Sequence, residues 1–159
     1  MERLISVRKQ LGAVYQGFAA LLRSEGAVDW FTAEEINDVV YFEEQIDSRH
    51  IFPVAWCRKQ GIDPKKYNCL VNRTPLSAKT NKTIGCKAPS LYLKEFELCG
   101  TGATNLDRIL QSHCITLETL RCDDFEAFFQ ARAEALMELI SKAMGKNLSL
   151  ESIHDIDGD

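Results

Sequence analysis

The sequence has no run of about 18 apolar residues, so no membrane-spanning helix is expected. Its opening, Met1-Glu2-Arg3-Leu4-Ile5-Ser6, lacks the apolar core of a signal peptide. A cytoplasmic location is the expectation. No Cys-x-x-Cys pair occurs among its six cysteines, at 57, 69, 86, 99, 114 and 122. That argues against a zinc ribbon, and the expected compartment argues against disulfides. Free, mostly buried thiols are expected instead. Histidine is scarce, with three in 159 residues. No acid or second histidine is placed to turn Ser77 into a triad nucleophile, so Ser77 reads as a helix cap. Internal repeats and low-complexity linkers are absent.

Acid is missing from one stretch in particular. From Arg49 to Lys94 there are ten basic residues and one acid, Asp63, a net charge of +9 in a chain of −4. The remaining residues therefore sum to −13. Such a split within one chain points to a polyanion facing the middle segment. The rest of the composition, 45% hydrophobic and 26% charged, is ordinary for a globular protein. The length suits one domain with a real core. We expect it over residues 1–145, with an acidic tail over 146–159.

Periodicity predicts a mainly helical α+β fold. Leu4, Val7, Leu11, Val14, Phe18 and Leu21 form one stripe, giving a helix over 2–24 that stops at Gly26. Thr32 with Glu35 reads as a capping box that opens a helix over 33–45, carrying Ile36, Val39, Val40 and Phe42. Residues 45–52 read as a short strand or extended loop. Pro53 suits the first turn of a helix ending near Gly61, and Asp63-Pro64 starts another turn. Leu70-Val71 is a short strand candidate running into Asn72. Ser77 caps a helix over 78–84 closed by Gly85, and Pro89 opens one through about Glu97. A helix over 104–113 follows the loop at Gly100-Thr101-Gly102. Asp123 with Glu126 reads as the start of a final helix over 124–144, with Phe125, Phe129, Leu136, Ile140 and Met144 on one face.

The segment 45–95 carries the chemistry. It holds Arg49-His50-Ile51-Phe52-Pro53, then Asn72-Arg73-Thr74-Pro75-Leu76, then Asn81-Lys82-Thr83-Ile84-Gly85. This order of His, Asn and Asn resembles an HNH endonuclease, the ββα-metal fold. The wider string from Asn72 to Leu93 resembles the C-terminal HNH-like domain of GmrSD/SspE-type restriction and anti-phage defence proteins. Phe128, Arg132 and the apolar run after them also fit that branch. The resemblance implies a nuclease that hydrolyses phosphodiester bonds of double-stranded DNA with Mg2+ or another divalent ion. It implies His50 as general base, Asn72 as the brace of the loop that holds it, and Asn81 as a contributor to the metal site. It also implies a nucleotide-sensing N-terminal domain or subunit that nothing in this sequence matches. The requirements of the reaction agree: a neutral imidazole to activate water, and oxygen ligands for Mg2+.

One position departs from the pattern. The residue before the base histidine is ordinarily an Asp or His that binds the metal, and here it is Arg49. A guanidinium has no lone pair to offer a cation and attracts phosphate instead. Asp47 lies two residues earlier, on the same face of an extended chain but displaced by roughly 6.5 Å. It is the alternative metal ligand. Arg49, Arg73, Lys79, Lys82 and Lys87 are the expected contacts to the DNA backbone. A second reading stays open, in which the fold has lost its metal and acts as a DNA-binding or protein-interaction module. His113 reads as an ordinary surface or hydrogen-bonded histidine.

Overall fold

The computed structural model describes residues 13–36 and 48–145. The expected stripe residues Leu4, Val7 and Leu11, the span 37–45, Asp47 and the acidic tail lie outside the described residues.

Helix α1 spans Ala13–Ser24 and buries Tyr15, Phe18, Ala19 and Leu22, spaced three and four apart as one helical face demands. It ends where Gly26 takes a φ of +86° and the Ala27 amide turns back to Leu22 O. The capping box at Thr32 does not open a helix over 33–36. Instead Val28 and Glu35 form an antiparallel bridge, with Ala33 at a φ of +57°. The reason is Asp29. Its Oδ1 accepts from the amides of Phe31 and Thr32 and from the Thr32 hydroxyl, so the cap residue is taken up in a tight turn.

Strand β1, Ser48–His50, pairs antiparallel with β2, Arg73–Pro75, in the register Ser48↔Pro75, Arg49↔Thr74, His50↔Arg73. Between them run α2 (Val54–Lys59), α3 (Pro64–Tyr67) and a 3-10 turn (Leu70–Asn72). Asp63 caps α3 through the Lys65 amide at 2.8 Å. The apolar pair Leu70-Val71 is therefore a 3-10 turn, and the strand begins one residue after Asn72. The Asn72 side chain bonds across the loop to the Phe52 amide and the Tyr67 carbonyl.

After β2, Ser77 accepts from the Thr80 amide and starts α4, Ala78–Ile84. Helices α5 (Pro89–Cys99), α6 (Ala103–Ser112), α7 (Leu117–Arg121) and α8 (Phe125–Met144) complete the chain. The five-residue α7 is too short to leave a periodic signal, and the sequence reading misses it. The cap of α8 is Asp124, which accepts from the Ala127 amide, and not the Asp123/Glu126 pair. Asp123 instead accepts from the amide and hydroxyl of Ser90, capping α5 from a distant part of the chain. Glu126 pairs with Lys66 at 2.6 Å.

Apolar residues from α1 through α8 join in one cluster. In α8 Phe125, Phe128, Phe129, Arg132, Ala133, Leu136 and Leu139 are buried, while Met144, expected on that face, is exposed. All six cysteines are free, but only Cys57 and Cys69 are buried, and Cys86, Cys99 and Cys122 are exposed at helix ends. Burial raises the Cys57 thiol to about 12, so it stays protonated and packs as a small apolar group. Among the described residues no helix is long and apolar enough to cross a membrane.

Candidate active site

The two-stranded ribbon followed by α4 gives a strand, strand, helix order around His50. The residues after His50 are held with unusual completeness. Ile51 N donates to Asn72 O at 3.0 Å, and Ile51 O accepts from the Tyr92 hydroxyl at 2.9 Å. Phe52 N donates to Asn72 Oδ1 at 2.8 Å. Asn72 Nδ2 donates to Phe52 O at 3.0 Å and to Tyr67 O at 2.9 Å. Asn72 is fully buried, so its amide is the polar partner of three backbone groups that water does not reach. The Phe52 ring locks the same turn into the core, 4.9 Å from Phe128 and 5.2 Å from Phe125. His50 thus leaves a backbone fixed from both sides.

His50 is half-buried and faces a cationic surround. Burial first, then the charges of Arg73 and Arg49, lower its pKa to about 4, against a hydrogen bond that the ring donates to the Asn68 side chain, which favours the charged form. At neutral pH the imidazole is uncharged and holds a free pair. Its Nε2 is shielded from solvent and makes no hydrogen bond among the described residues. A neutral imidazole beside two guanidiniums can take a proton from water and sits in a field that favours phosphate.

The basic residues divide. Arg73 is buried, and its Nε donates to Asn68 O at 3.3 Å, so it lines the site beside His50. Lys87 pairs with Glu95 and donates to Thr83 O. Lys79 lies 5.2 Å from the Phe31 ring and, like Lys82, is exposed on α4. Asn81, half-exposed on α4, makes no side-chain hydrogen bond among the described residues.

Among the described residues, the donors around His50 do not by themselves make a site for a divalent ion. No group of three or more His, Cys, Asp or Glu side chains able to hold a metal occurs among the described residues. The orphaned His50 Nε2 is accompanied by guanidiniums, which repel a cation. Asp47, the expected alternative ligand, lies outside the described residues.

Three contributors have no signal in the sequence. Asn68 bonds His50, and Tyr92 holds Ile51 from 41 positions away. Asp29, 3% exposed, accepts from Ser77 N at 2.8 Å and from the Thr80 hydroxyl, and so anchors the start of α4. Desolvation would raise its pKa, but this set of hydrogen bonds outweighs it and the carboxyl lies below its usual value.

No family model matches the chain, and no solved structure matches it. The chain is 28% identical to the uncharacterized protein MJ0686 of Methanocaldococcus jannaschii, over 86% of this chain and 27% of that protein. It therefore spans about a quarter of the length of the relative it matches.

Proposed function

We propose that this chain is a ββα-type DNA endonuclease domain of a restriction or anti-phage defence system, with His50 as general base. The observation that carries the reading is the neutral His50 imidazole, set between Arg49 and Arg73 on a turn that Asn72 ties shut. In this role His50 accepts the proton of the attacking water. The guanidiniums of Arg49 and Arg73 favour the phosphate and its growing negative charge. Lys79 and Lys82 extend the positive surface along α4 toward the DNA backbone. The described donors do not hold Mg2+, and no step of this account passes through an ion.

A second reading, a DNA-binding module without cleavage, is favoured by Arg49 at the place of a metal ligand and by the shielded His50 Nε2. Plasmid cleavage with and without EDTA, beside fluorescence anisotropy on a DNA duplex, separates the two. Cleavage lost in His50→Ala with duplex affinity retained supports the nuclease. Tight binding with no cleavage under any metal supports the module. Absence of both overturns the two readings together.

A further inference from the structure

Among the described residues strand β2 pairs with β1 on one side only, so Arg73 O on its other side and Val71 O in the turn before it need partners from elsewhere. They find them in a side chain of α8. Arg132 Nη1 donates to Val71 O at 2.5 Å and to Arg73 O at 2.7 Å, the carbonyls on either side of Asn72. The carbonyl between them, Asn72 O, is taken by Ile51 N. Arg132 Nε then donates to His113 O at 3.2 Å, joining the strand to the end of α6. His113 reaches back to the same strand. Its Nδ1 lies 2.6 Å from the Thr74 hydroxyl and its Nε2 lies 2.9 Å from Val28 O. A carbonyl only accepts, so Nε2 carries the ring proton and the Thr74 hydroxyl donates to Nδ1.

We propose that Arg132 and His113, both outside the site, are positioning residues for His50, clamping β2 so that the strand paired with it presents the imidazole. The inference rests on the reading of His50 as the base. Three observations carry it. Arg132 is 1% exposed and His113 0% exposed, so both have been taken out of water to make these bonds. The bonds fall on residues 71, 73 and 74, where the register sets Arg73 against His50 and Thr74 against Arg49. The cost is visible as well: Arg132 Nη2 is buried without a partner among the described residues, and an apolar side chain would fill this space without that penalty. A fork of donors, not a hydrophobic plug, is what the strand edge needs. Contact of the guanidinium with the Phe18 ring, 5.9 Å from its centroid, holds the fork in place.

The test is the titration of His50 itself, followed by NMR of 13C-labelled histidine in the whole chain. Four proteins are compared: wild type, Thr74→Val, Thr74→Ser and Arg132→Lys. Thr74→Val removes the hydroxyl and keeps the shape, whereas Thr74→Ser keeps the hydroxyl. Loosening β2 admits water to His50 and moves it from Arg73, so in Thr74→Val and Arg132→Lys its pKa rises from about 4 toward 6.5. A rise of about half a unit or more is expected, with Thr74→Ser matching wild type. Loss of stability alone would not move this titration in molecules that remain folded. Folded variants whose His50 titrates as in wild type overturn the proposal. So does loss of the fold in Thr74→Val, because the pair would then be structural only. The readout needs no DNA. If His50 moves as expected but wild type neither binds nor cleaves DNA, the clamp stands and the nuclease reading falls.

Discussion

Replacing Asn72 with Ala removes one acceptor and two donors from a fully buried position. The Phe52 amide and the carbonyls of Phe52 and Tyr67 lose their partner together. The Phe52 carbonyl keeps a weak contact to Cys57 Sγ at 3.5 Å. The other two groups have no second partner among the described residues, and burial stops water from replacing the amide. Each buried polar group left unsatisfied costs about 1–3 kcal/mol, so the loss should be about 3 kcal/mol in all. At a urea m-value near 2 kcal/mol per molar, that is a fall of about 1.5 M in the midpoint. Asn72→Asp is a sharper form of the same experiment. It keeps an acceptor for the Phe52 amide but turns a carboxylate oxygen toward two carbonyls, and at neutral pH it should cost at least as much as Ala. Urea melts followed by tryptophan fluorescence report both, through Trp30 in the core and Trp56 beside Phe52. A midpoint shift for Asn72→Ala below about 0.3 M would refute the argument, since the amide would then contribute no more than an exposed turn residue.

Three further outcomes are expected. Burial holds His113 at about 4 against an ordinary 6.5, so the unfolded chain takes up its proton first. Its contribution is therefore present above pH 6.5 and lost as pH falls from 6.5 toward 4, by up to about 3 kcal/mol, and His50 adds in the same direction; histidine NMR showing His113 titrating near 6.5 in the folded protein would remove the effect. If six phosphates are neutralised on the DNA, the log–log salt slope is about −5, and losing Lys79 and Lys82 together flattens it by about two units. Lys87→Ala should change the slope little, because that ammonium already serves Glu95; equal effects at all three would mean the pairing opens on DNA. For metal, a dication about 4 Å from a guanidinium at an effective dielectric near 20 is repelled by about 8 kcal/mol before screening. If Arg49 stands in a metal ligand's place, Arg49→Asp raises Mn2+-dependent cleavage and adding His50→Ala silences it; loss of cleavage in Arg49→Asp would show instead that Arg49 holds the phosphate.

Local signals carried much of this protein. Gly26 at the end of α1, Asp63-Pro64 at α3, Ser77 before α4 and Pro89 at α5 are read correctly because caps, proline and positive-φ glycine act through bonds within a few residues. The order of His50, Asn72 and Asn81, and the concentration of positive charge around them, is likewise a property of the string alone. Where a side chain is claimed by a distant partner, the string misleads. Thr32 looks like a cap, but Asp29 draws it into a turn. Asp123 looks like the cap of α8, but it serves Ser90 on α5. Lys87 and Arg73, read from the string as phosphate contacts, also have partners in the fold that the string does not show, Glu95 and the Asn68 carbonyl. Tertiary structure alone decides the character of His50. Its lowered pKa comes from burial and from Arg73, which lies 23 positions away in sequence but opposite it on the ribbon. It alone also decides that Arg132 meets the edge carbonyl of Arg73 and that His113 meets the Thr74 hydroxyl. A two-stranded ribbon must satisfy that edge from outside, and which helix supplies the donors is set by the packing of α8, not by any pattern in its own residues.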